Sequence, residues 1–409
     1  MCKVTDSEQL VLAINSGSSS IKYKVFTFPD EAIVLHGEVS GIGSNQGRHV
    51  IHLKEIGRHD LAIEDDSCVL QTQADGFTAI INTLSRFHGT IGPLDISLIG
   101  HRVVHGGDKF VAPTLINKSV MATIKQLNHL APLHNQNNLL GIQICSEVFP
   151  AIPQVAVFDT AYHQTIPEHA YRYAIPQKWY HDYKIRRYGF HGTSHQHVAQ
   201  QAAGLLERPL AELNFISLHI GNGASACAIQ QGRSIDTSMG FTPLEGLIMG
   251  SRSGDIDASI PLYIQNEYGF TNEEIEYILN AESGLKALAG TNDLSQLLEL
   301  EQSGDPSAKL ALDAYVYRIR KYMGAYLITL GHVDAIIFTA GIGENSAEIR
   351  ERCCKNLEMF GVKLETALNY QQIDQSTFID KASAIRVIVV PANEELQIAN
   401  EARQAVISV

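Results

Sequence analysis

Residues 11–26 read VLAINSGSSSIKYKVF. Four apolar residues run into Asn15, Gly17 then sits among four serines, Lys22 follows, and the chain turns apolar again. A Ser/Gly cluster between two strand-like runs predicts a tight hairpin turn. The same composition suits a phosphate cradle, because backbone N–H groups bared by glycine, several hydroxyls and a lysine can together surround a polyphosphate. Both readings stand on this stretch alone.

Working outward, short apolar runs alternate with helical patterns, and no proline-rich or low-complexity linker separates the halves. That alternation predicts an α/β fold. Strands are expected at 11–14, 96–99, 155–158, 215–220, 335–339 and 384–390. The clearest helix follows Asp305-Pro306, a cap and a first-turn proline, with Leu312, Val316, Ile319, Met323, Tyr326 and Leu330 spaced four and three in alternation. Another is expected from Ser119, burying Val120, Ile124 and Leu127.

The residues after the strands carry the chemistry. The runs lead into NSGSSS, GHRVVHGG, DTAYH, GNGAS, AGIGENS and PANEE. Ligands of open α/β sheets bind beyond the carboxyl ends of strands, so these endings point to one shared site. Turn formation does not require Arg102, Asp159 or Glu394 there, and isolated charges beside a core are costly. VLAINSGSSS and FISLHIGNGAS also repeat one pattern: a strand, a Gly/Asn/Ser turn and a second apolar stretch (23–28 and 225–229). Two such clamps suggest a duplicated fold around a nucleotide.

Bulk composition narrows the partners. At 409 residues, 45% hydrophobic and 18% charged, the chain has an ordinary globular balance and length for about two or three domains. The net charge is −13, and no Lys/Arg run marks a surface for nucleic acid or an anionic membrane. The start MCKVTDSEQL is acidic where a signal peptide would be basic and then apolar, and no stretch approaches the ~18 apolar residues of a membrane span. A cytoplasmic location is expected. The six cysteines (Cys2, Cys68, Cys145, Cys227, Cys353, Cys354) show no CxxC spacing, which fits a reducing compartment. Cys353, in a helix-like stretch, is expected to pack in the core.

Taken in order, NSGSSSIK, GHRVVHGG, LAPLHNQNN, FDTAYH, YGFHGTSH, HIGNGAS, DTSMGFTPLEGL, SRSGDID, FTAGIGENS and PANEEL resemble the acetate kinase family, from about residue 10 to 401. The resemblance implies a duplicated ribonuclease H-like α/β fold of the actin, Hsp70 and sugar kinase type. It implies two domains, 1–160 plus 395–409 and 161–394, with an interdomain nucleotide cleft. NSGSSSIK becomes the first phosphate hairpin. The implied reaction is reversible transfer of the γ-phosphoryl of MgATP to acetate, giving acetyl phosphate and ADP, with Mn²⁺ able to replace Mg²⁺. Propionate kinase of the same family is the alternative. A homodimer is implied as well.

Residue roles follow from the same resemblance. A carboxylate nucleophile is already ionised at neutral pH, so it needs positioning and charge neutralisation. Arg102 would hold the substrate carboxylate and Arg252 the transferring phosphoryl, since a guanidinium can bridge such oxygens in a bidentate way. His191 would donate to an equatorial phosphoryl oxygen. Asp159, the family's active-site carboxylate, would orient Mg²⁺ through water or fix an arginine rather than act as a base. Asn15 and Glu394 match the magnesium site. Ser18, Ser20, Lys22 and His219–Ile220–Gly221–Asn222–Gly223 match contacts to nucleotide phosphates. Asp293, Leu294 and Ser295, with Gly341, Ile342, Gly343, Glu344 and Asn345, match the adenosine side, although the family often carries Arg where Ser295 stands. Val104, Leu133, His134, Phe190 and Pro243 would line the acid pocket.

Two other classes compete. His191, His195 and His197 resemble a zinc cluster, with the first pair at helical spacing. Thr193 or Ser194 as a helix cap would put His191 outside the helix and His195 within it, on different faces. An ATP-switched interaction protein would share the hairpins but have no use for Arg102, His191 and Arg252.

Overall fold

The computed structural model describes residues 9–17, 19–44, 47–53, 61–64, 70–87 and 96–407, the side chains of 61–64, 86–87 and 132–133 excepted. Ser18, Cys2 and Cys68 lie outside the described residues, as does the side chain of Leu133. The chain forms two compact units, Met1–Tyr162 with Asn393–Val409, and His163–Ala392. Glu394, expected in the second domain, therefore belongs to the first unit.

The first unit holds a sheet of β1 (Gln9–Ser16), β2 (Ser20–Phe28), β3 (Ala32–Ser40), β4 (Arg48–Leu53), β5 (Leu61–Glu64), β6 (Ile96–Val103), β7 (Thr114–Leu115) and β8 (Gln154–Phe158), in the order β5-β4-β3-β2-β1-β6-β8-β7. Alternation sorts its side chains. Leu12 and Ile14 enter one core with Tyr23, Val25, Phe77 and Ile80. Val11 and Ala13 enter the other with Phe26, Phe28, Ile398, Ala399 and Ala402. Strands buried on both faces read as continuous apolar runs, which is why β1 does. Gly100 lets the helix Glu394–Ile407 approach, since a Cβ there would lie 2.8 Å from Ile398 Cγ2 and 3.1 Å from its carbonyl oxygen.

The second unit holds β9 (Asn214–Ile220), β10 (Ala224–Gln230), β11 (Arg233–Thr237), β12 (Ala335–Thr339), β13 (Thr377–Phe378) and β14 (Arg386–Val389), in the order β11-β10-β9-β12-β14-β13. The pairing repeats that of the first unit. β1 and β9 each pair antiparallel with the next strand and parallel with β6 or β12; β8 and β14 follow in parallel, and a two-residue strand closes each edge antiparallel. The faint repeat in the sequence is thus a repeat of connectivity.

The helix Pro306–Leu330 starts as expected, with Asp305 accepting from the N–H groups of Ser307 and Ala308, and it buries all six anticipated apolar residues. The helix expected from Ser119 is Lys118–Gln126, capped by Asn117, with Val120 and Ile124 buried and Leu127 buried just beyond it. Cys353 is buried in the helix Ala347–Cys354. Three local expectations are corrected. β6 continues to Val103, so Arg102 lies inside the strand rather than after it, and the chain bends at Val104. The last long strand is confined to Arg386–Val389, because Ala384 and Ile385 are taken up by the preceding turn. The cap of the helix Gly192–Leu205 is His191, not Thr193 or Ser194. Among the described residues no helix is long and apolar enough to cross a membrane.

Candidate active site

In the first unit, three parallel strands run from apolar to polar on one face. Val11 and Ala13 of β1, Leu98 and Gly100 of β6, and Val155 and Val157 of β8 meet the helix Glu394–Ile407. The next residues in each alternation are Asn15, Arg102 and Asp159. Their side chains meet: Arg102 Nη1 donates to Asn15 Oδ1 at 2.9 Å and Nη2 to Asp159 Oδ2 at 2.5 Å. Of the two tasks foreseen for Asp159, fixing an arginine is visible in this geometry. Asn15 Nδ2 donates to Glu394 Oε2 at 2.9 Å and Glu395 Oε1 at 3.3 Å. Lys24 Nζ pairs with Glu395 at 3.1 Å. Lys22 lies directly across from Asn15 in the β1–β2 register, hence on the same face, and is exposed.

Electrostatics in this group are unbalanced. Burial pushes the Glu394 carboxyl up; Arg102 opposes this, while Asp159 and Glu395 reinforce it. Glu395 faces the same burial, but Lys24 holds its carboxyl below the ordinary value. For Arg102 burial favours loss of the proton, yet Asp159 and Glu394 outweigh it and raise the guanidinium. Arg102 Nε is buried with no hydrogen-bond partner among the described residues. Asp159 and Glu395 are paired with Arg102 and Lys24. Among the described residues this leaves Glu394 the acid without an ion pair, and no three acidic, His or Cys side chains form a group that could hold a metal ion by themselves.

The segment after β6 is held by two asparagines of the LAPLHNQNN stretch, Asn135 and Asn138. Asn138 Oδ1 accepts from Val104 N–H at 3.0 Å while its Nδ2 donates to Ser16 O, and Asn135 exchanges bonds with the His105 backbone. Their spacing of three on the helix Pro132–Val148, which also carries Leu133 and His134, was the available signal. Val104 is buried.

The second unit assembles a separate group. The hairpin loop Gly221–Gly223 joins β9 to β10, and Asn222 O accepts from Gly250 N–H at 3.0 Å. An added Cβ at Gly223 would lie 3.8 Å from His191 Cε1 and 3.9 Å from both His191 Nε2 and Arg252 Nη1. Glycine thus leaves open the space these two side chains flank. His191 adopts φ 85°, a left-handed conformation rare for a residue with a side chain and concentrated at functional sites. Its Nδ1 lies 2.9 Å from Ser225 Oγ, and His195 Nε2 lies 2.8 Å from the same oxygen. The expectation that these histidines face apart is therefore overturned; β10 presents Ser225 to both. His195 Nδ1 is 2.8 Å from Ser217 Oγ and His219 Nδ1 is 2.8 Å from Ser194 Oγ. Burial, with His163 and His219 adding to it, keeps His195 neutral far below its ordinary range. With both ring nitrogens on hydroxyls, His195 has none for a metal.

Arg252 is partly buried, and its nearest partners are Pro243 O at 3.4 Å and Met249 Sδ at 4.0 Å. It makes no ion pair among the described residues, and burial lowers its guanidinium. Gly284, at φ 65°, closes the loop behind it, where a Cβ would strike the Met249 and Arg252 carbonyls. The adenosine candidates adjoin: Gly343 would bring a Cβ to 3.7 Å from Ile220 Cβ, whereas one at Gly341 meets nothing within 4 Å. Gly341, Ile342, Glu344 and Asn345 share the helix Ala340–Asn345. Glu344 Oε1 accepts from Ala392 N–H, and burial raises its carboxyl. Asp293 caps the helix Leu294–Gln302 through Ser295 and Gln296, Leu294 is core, and Ser295 is exposed. Asn292 Nδ2 reaches Asn222 Oδ1 at 3.2 Å. Phe190 is buried, its carbonyl 3.1 Å from His163 Nε2.

A family model described as the Acetokinase family matches residues 10–400. The chain is 46% identical over 402 residues to the acetate kinase of Thermotoga maritima, covering 97% of this chain and 98% of that one. The crystal structure of Porphyromonas gingivalis acetate kinase superposes with a TM-score of 0.87 at 37% identity, covering 97% and 100% of the two chains. The propionate kinase of Francisella tularensis does so with 0.88 at 38% identity, covering 97% and 99%. Sharing the two-unit α/β fold of these kinases and matching the family model along nearly its whole length, the chain belongs to the acetokinase family.

Proposed function

We propose that this chain transfers the γ-phosphoryl group of ATP reversibly to acetate. An acetate oxygen attacks the γ-phosphorus, the bond from that phosphorus to the β–γ bridging oxygen breaks, and acetyl phosphate and ADP result. The observation that carries this reading is Arg252: a partly buried guanidinium with no counter-ion among the described residues, beside His191 and the Gly221–Gly223 loop, calls for a bound anion. Ser225 Oγ lies within hydrogen-bond distance of His195 Nε2 and His191 Nδ1, and we assign its hydroxyl as the donor to His191 Nδ1. In that tautomer His191 carries its proton on Nε2, the nitrogen that would donate to a phosphoryl oxygen. Arg102, aligned by Asn15 and Asp159, supplies the positive charge that holds the acid.

Asn15 and Glu394 would hold Mg²⁺, with Mn²⁺ able to substitute, alongside nucleotide oxygens and water. Glu394 fits, because among the described residues only Asn15 hydrogen-bonds its carboxylate and the cluster carries an excess of negative charge. When bound, the ion neutralises charge on the β- and γ-phosphates. Ser20, Lys22, His219, Asp293 and the Gly341–Asn345 turn serve the nucleotide. Val104, His134, Phe190 and Pro243 limit the acid.

We further propose a homodimer joined through the helices Ser259–Tyr268 and Asn272–Ala281. Neither helix buries a residue, and Ile260, Leu262, Tyr263, Tyr268, Phe270 and Tyr277 are exposed around them. The four described cysteines are free thiols, in keeping with a cytoplasmic setting. Acetate-dependent ADP formation, measured with acetate and propionate, with chelator and with Mg²⁺ restored, tests the reaction. No acetate dependence refutes it, and a propionate preference transfers the reading to propionate kinase.

A further inference from the structure

Residues 238–258 include no helix or strand, yet they carry Pro243 and Arg252. An irregular segment of this length keeps its geometry only through specific contacts. The contacts on one limb converge on three side chains outside the group described above. Arg187 Nη1 donates to the carbonyls of Thr237, Ser238 and Met239 at 2.8, 3.1 and 3.1 Å, and Nη2 donates to Glu245 Oε1 at 2.6 Å. Tyr173 OH donates to Glu245 Oε2 and accepts from Phe241 N–H at 2.9 Å. Each oxygen of Glu245 is thus held by a different residue. Gly240 makes room for this group, since a Cβ there would meet the Glu245 carboxylate and the Tyr173 hydroxyl and displace them.

The same residues tie this limb to the segment carrying Phe190 and His191. Arg187 stands four residues before His191, and the N–H groups of Tyr188 and Gly189 both donate to Gly240 O, at 3.0 and 3.2 Å. Glu245 follows Pro243 by two residues, and Pro243 O is the acceptor nearest Arg252 Nη1. A displacement of Glu245 therefore moves Pro243 and with it Arg252. The other limb is fastened separately, where Asp255 accepts from Gly246 N–H, Tyr322 OH and Arg318.

We propose that Arg187, Glu245 and Tyr173 form a positioning group that aligns Arg252 and Pro243 with His191 and Phe190, and so sets both turnover and the choice between acetate and longer acids. The proposal rests on the phosphoryl-transfer reading above. A purely stabilising role would lower the melting temperature and leave the kinetics of the folded fraction alone. Alignment errors of about 1 Å can cost about a hundredfold in rate.

The test uses Tyr173→Phe, Glu245→Gln and their double variant in the full chain. Each single variant should lower kcat at least about tenfold, leave KM for ATP within about twofold, and change the acetate-to-propionate ratio of kcat/KM. The double variant should lose little more than the worse single one, because both act through one carboxylate. Hydrogen exchange across 238–255 should accelerate in Tyr173→Phe. Folded variants with parental kcat, parental acid ratio and parental exchange would overturn the positioning group, as would multiplicative losses in the double variant. Exchange is read without substrate. Faster exchange in the variants of a parent that makes no acetyl phosphate would thus locate the failure in the acceptor assignment.

Discussion

Arg102 in β6 donates to Asp159, the residue just after β8, at 2.5 Å, whereas Arg252, the other arginine assigned to the reaction, has no carboxylate within ion-pair reach among the described residues. The two should answer mutation differently. Arg102→Ala strands a buried carboxylate and should destabilise the protein by up to about 3–5 kcal/mol, besides weakening carboxylate binding. Arg252→Ala removes a partly buried cation that makes no ion pair among the described residues and should leave the melting temperature nearly unchanged, while kcat falls about a hundredfold or more. Thermal unfolding and steady-state kinetics on both variants separate the two. Parental turnover in Arg252→Ala would remove it from the mechanism.

Ser225→Ala deletes the hydroxyl that His191 and His195 share. The imidazole of His191 then loses the group that selects its tautomer, and kcat should drop roughly tenfold to a hundredfold with KM for ATP little changed. Ser225→Thr, which restores the hydroxyl, should recover part of the loss. Equal activity in Ala and Thr variants would dismiss the relay.

Glu394→Ala should raise the Mg²⁺ concentration needed for half-maximal activity while the fold stays intact. A titration of activity against Mg²⁺ at saturating substrates reads this directly. Identical curves for variant and parent would move the metal assignment elsewhere.

Glu401 predicts a pH effect on stability. Burial raises its carboxyl from 4.5 to about 7, partly offset by the bond from Gln397 and reinforced by Asp159. The folded state holds this proton more tightly than the unfolded one. Stability is therefore full below about pH 4.5, declines as pH rises to 7, and stays reduced above, by roughly 3 kcal/mol. Glu401→Gln should be more stable than the parent at pH 8 and no different at pH 4. Denaturant midpoints at the two pH values provide the check, and an equal difference at both would show that the carboxyl does not titrate in this way.

Val104→Ala concerns acid choice. One methylene is worth about 1–3 kcal/mol in an apolar pocket, so the variant should narrow or reverse a preference for acetate over propionate, chiefly through KM for propionate. Specificity constants for acetate, propionate and butyrate in both proteins measure it. An unmoved ratio would show that Val104 does not set the limit.

Much of this was legible in the sequence where the signal is local. The strand at 335–339 and the helix from Pro306 follow from apolar spacing and an Asp-Pro cap, and the structure places both as expected. Arg102 lies inside its strand although a charged residue normally ends an apolar run, because Asp159 neutralises it there and Asn15 accepts a hydrogen bond from it. His191 carries no local signal of a cap, because the cap position favours Ser, Thr, Asp or Asn and His191 makes no side-chain cap bond. Ser194 is instead spent on His219, a partner 25 residues away. Arg187 and Glu245 escaped notice for the same reason: they are 58 residues apart, and nothing in either neighbourhood announces the other.

Along β1, β6 and β8 the face toward the helix Glu394–Ile407 divides lengthwise into an apolar stem and a polar tip. The division makes the sheet modular for protein engineering. A library that varies Val11, Leu98 and Val155 among apolar residues would search for heat tolerance in a compartment that ends before the chemistry begins. One two-residue step beyond Ala13, Gly100 and Val157, the same search would be rewriting the enzyme.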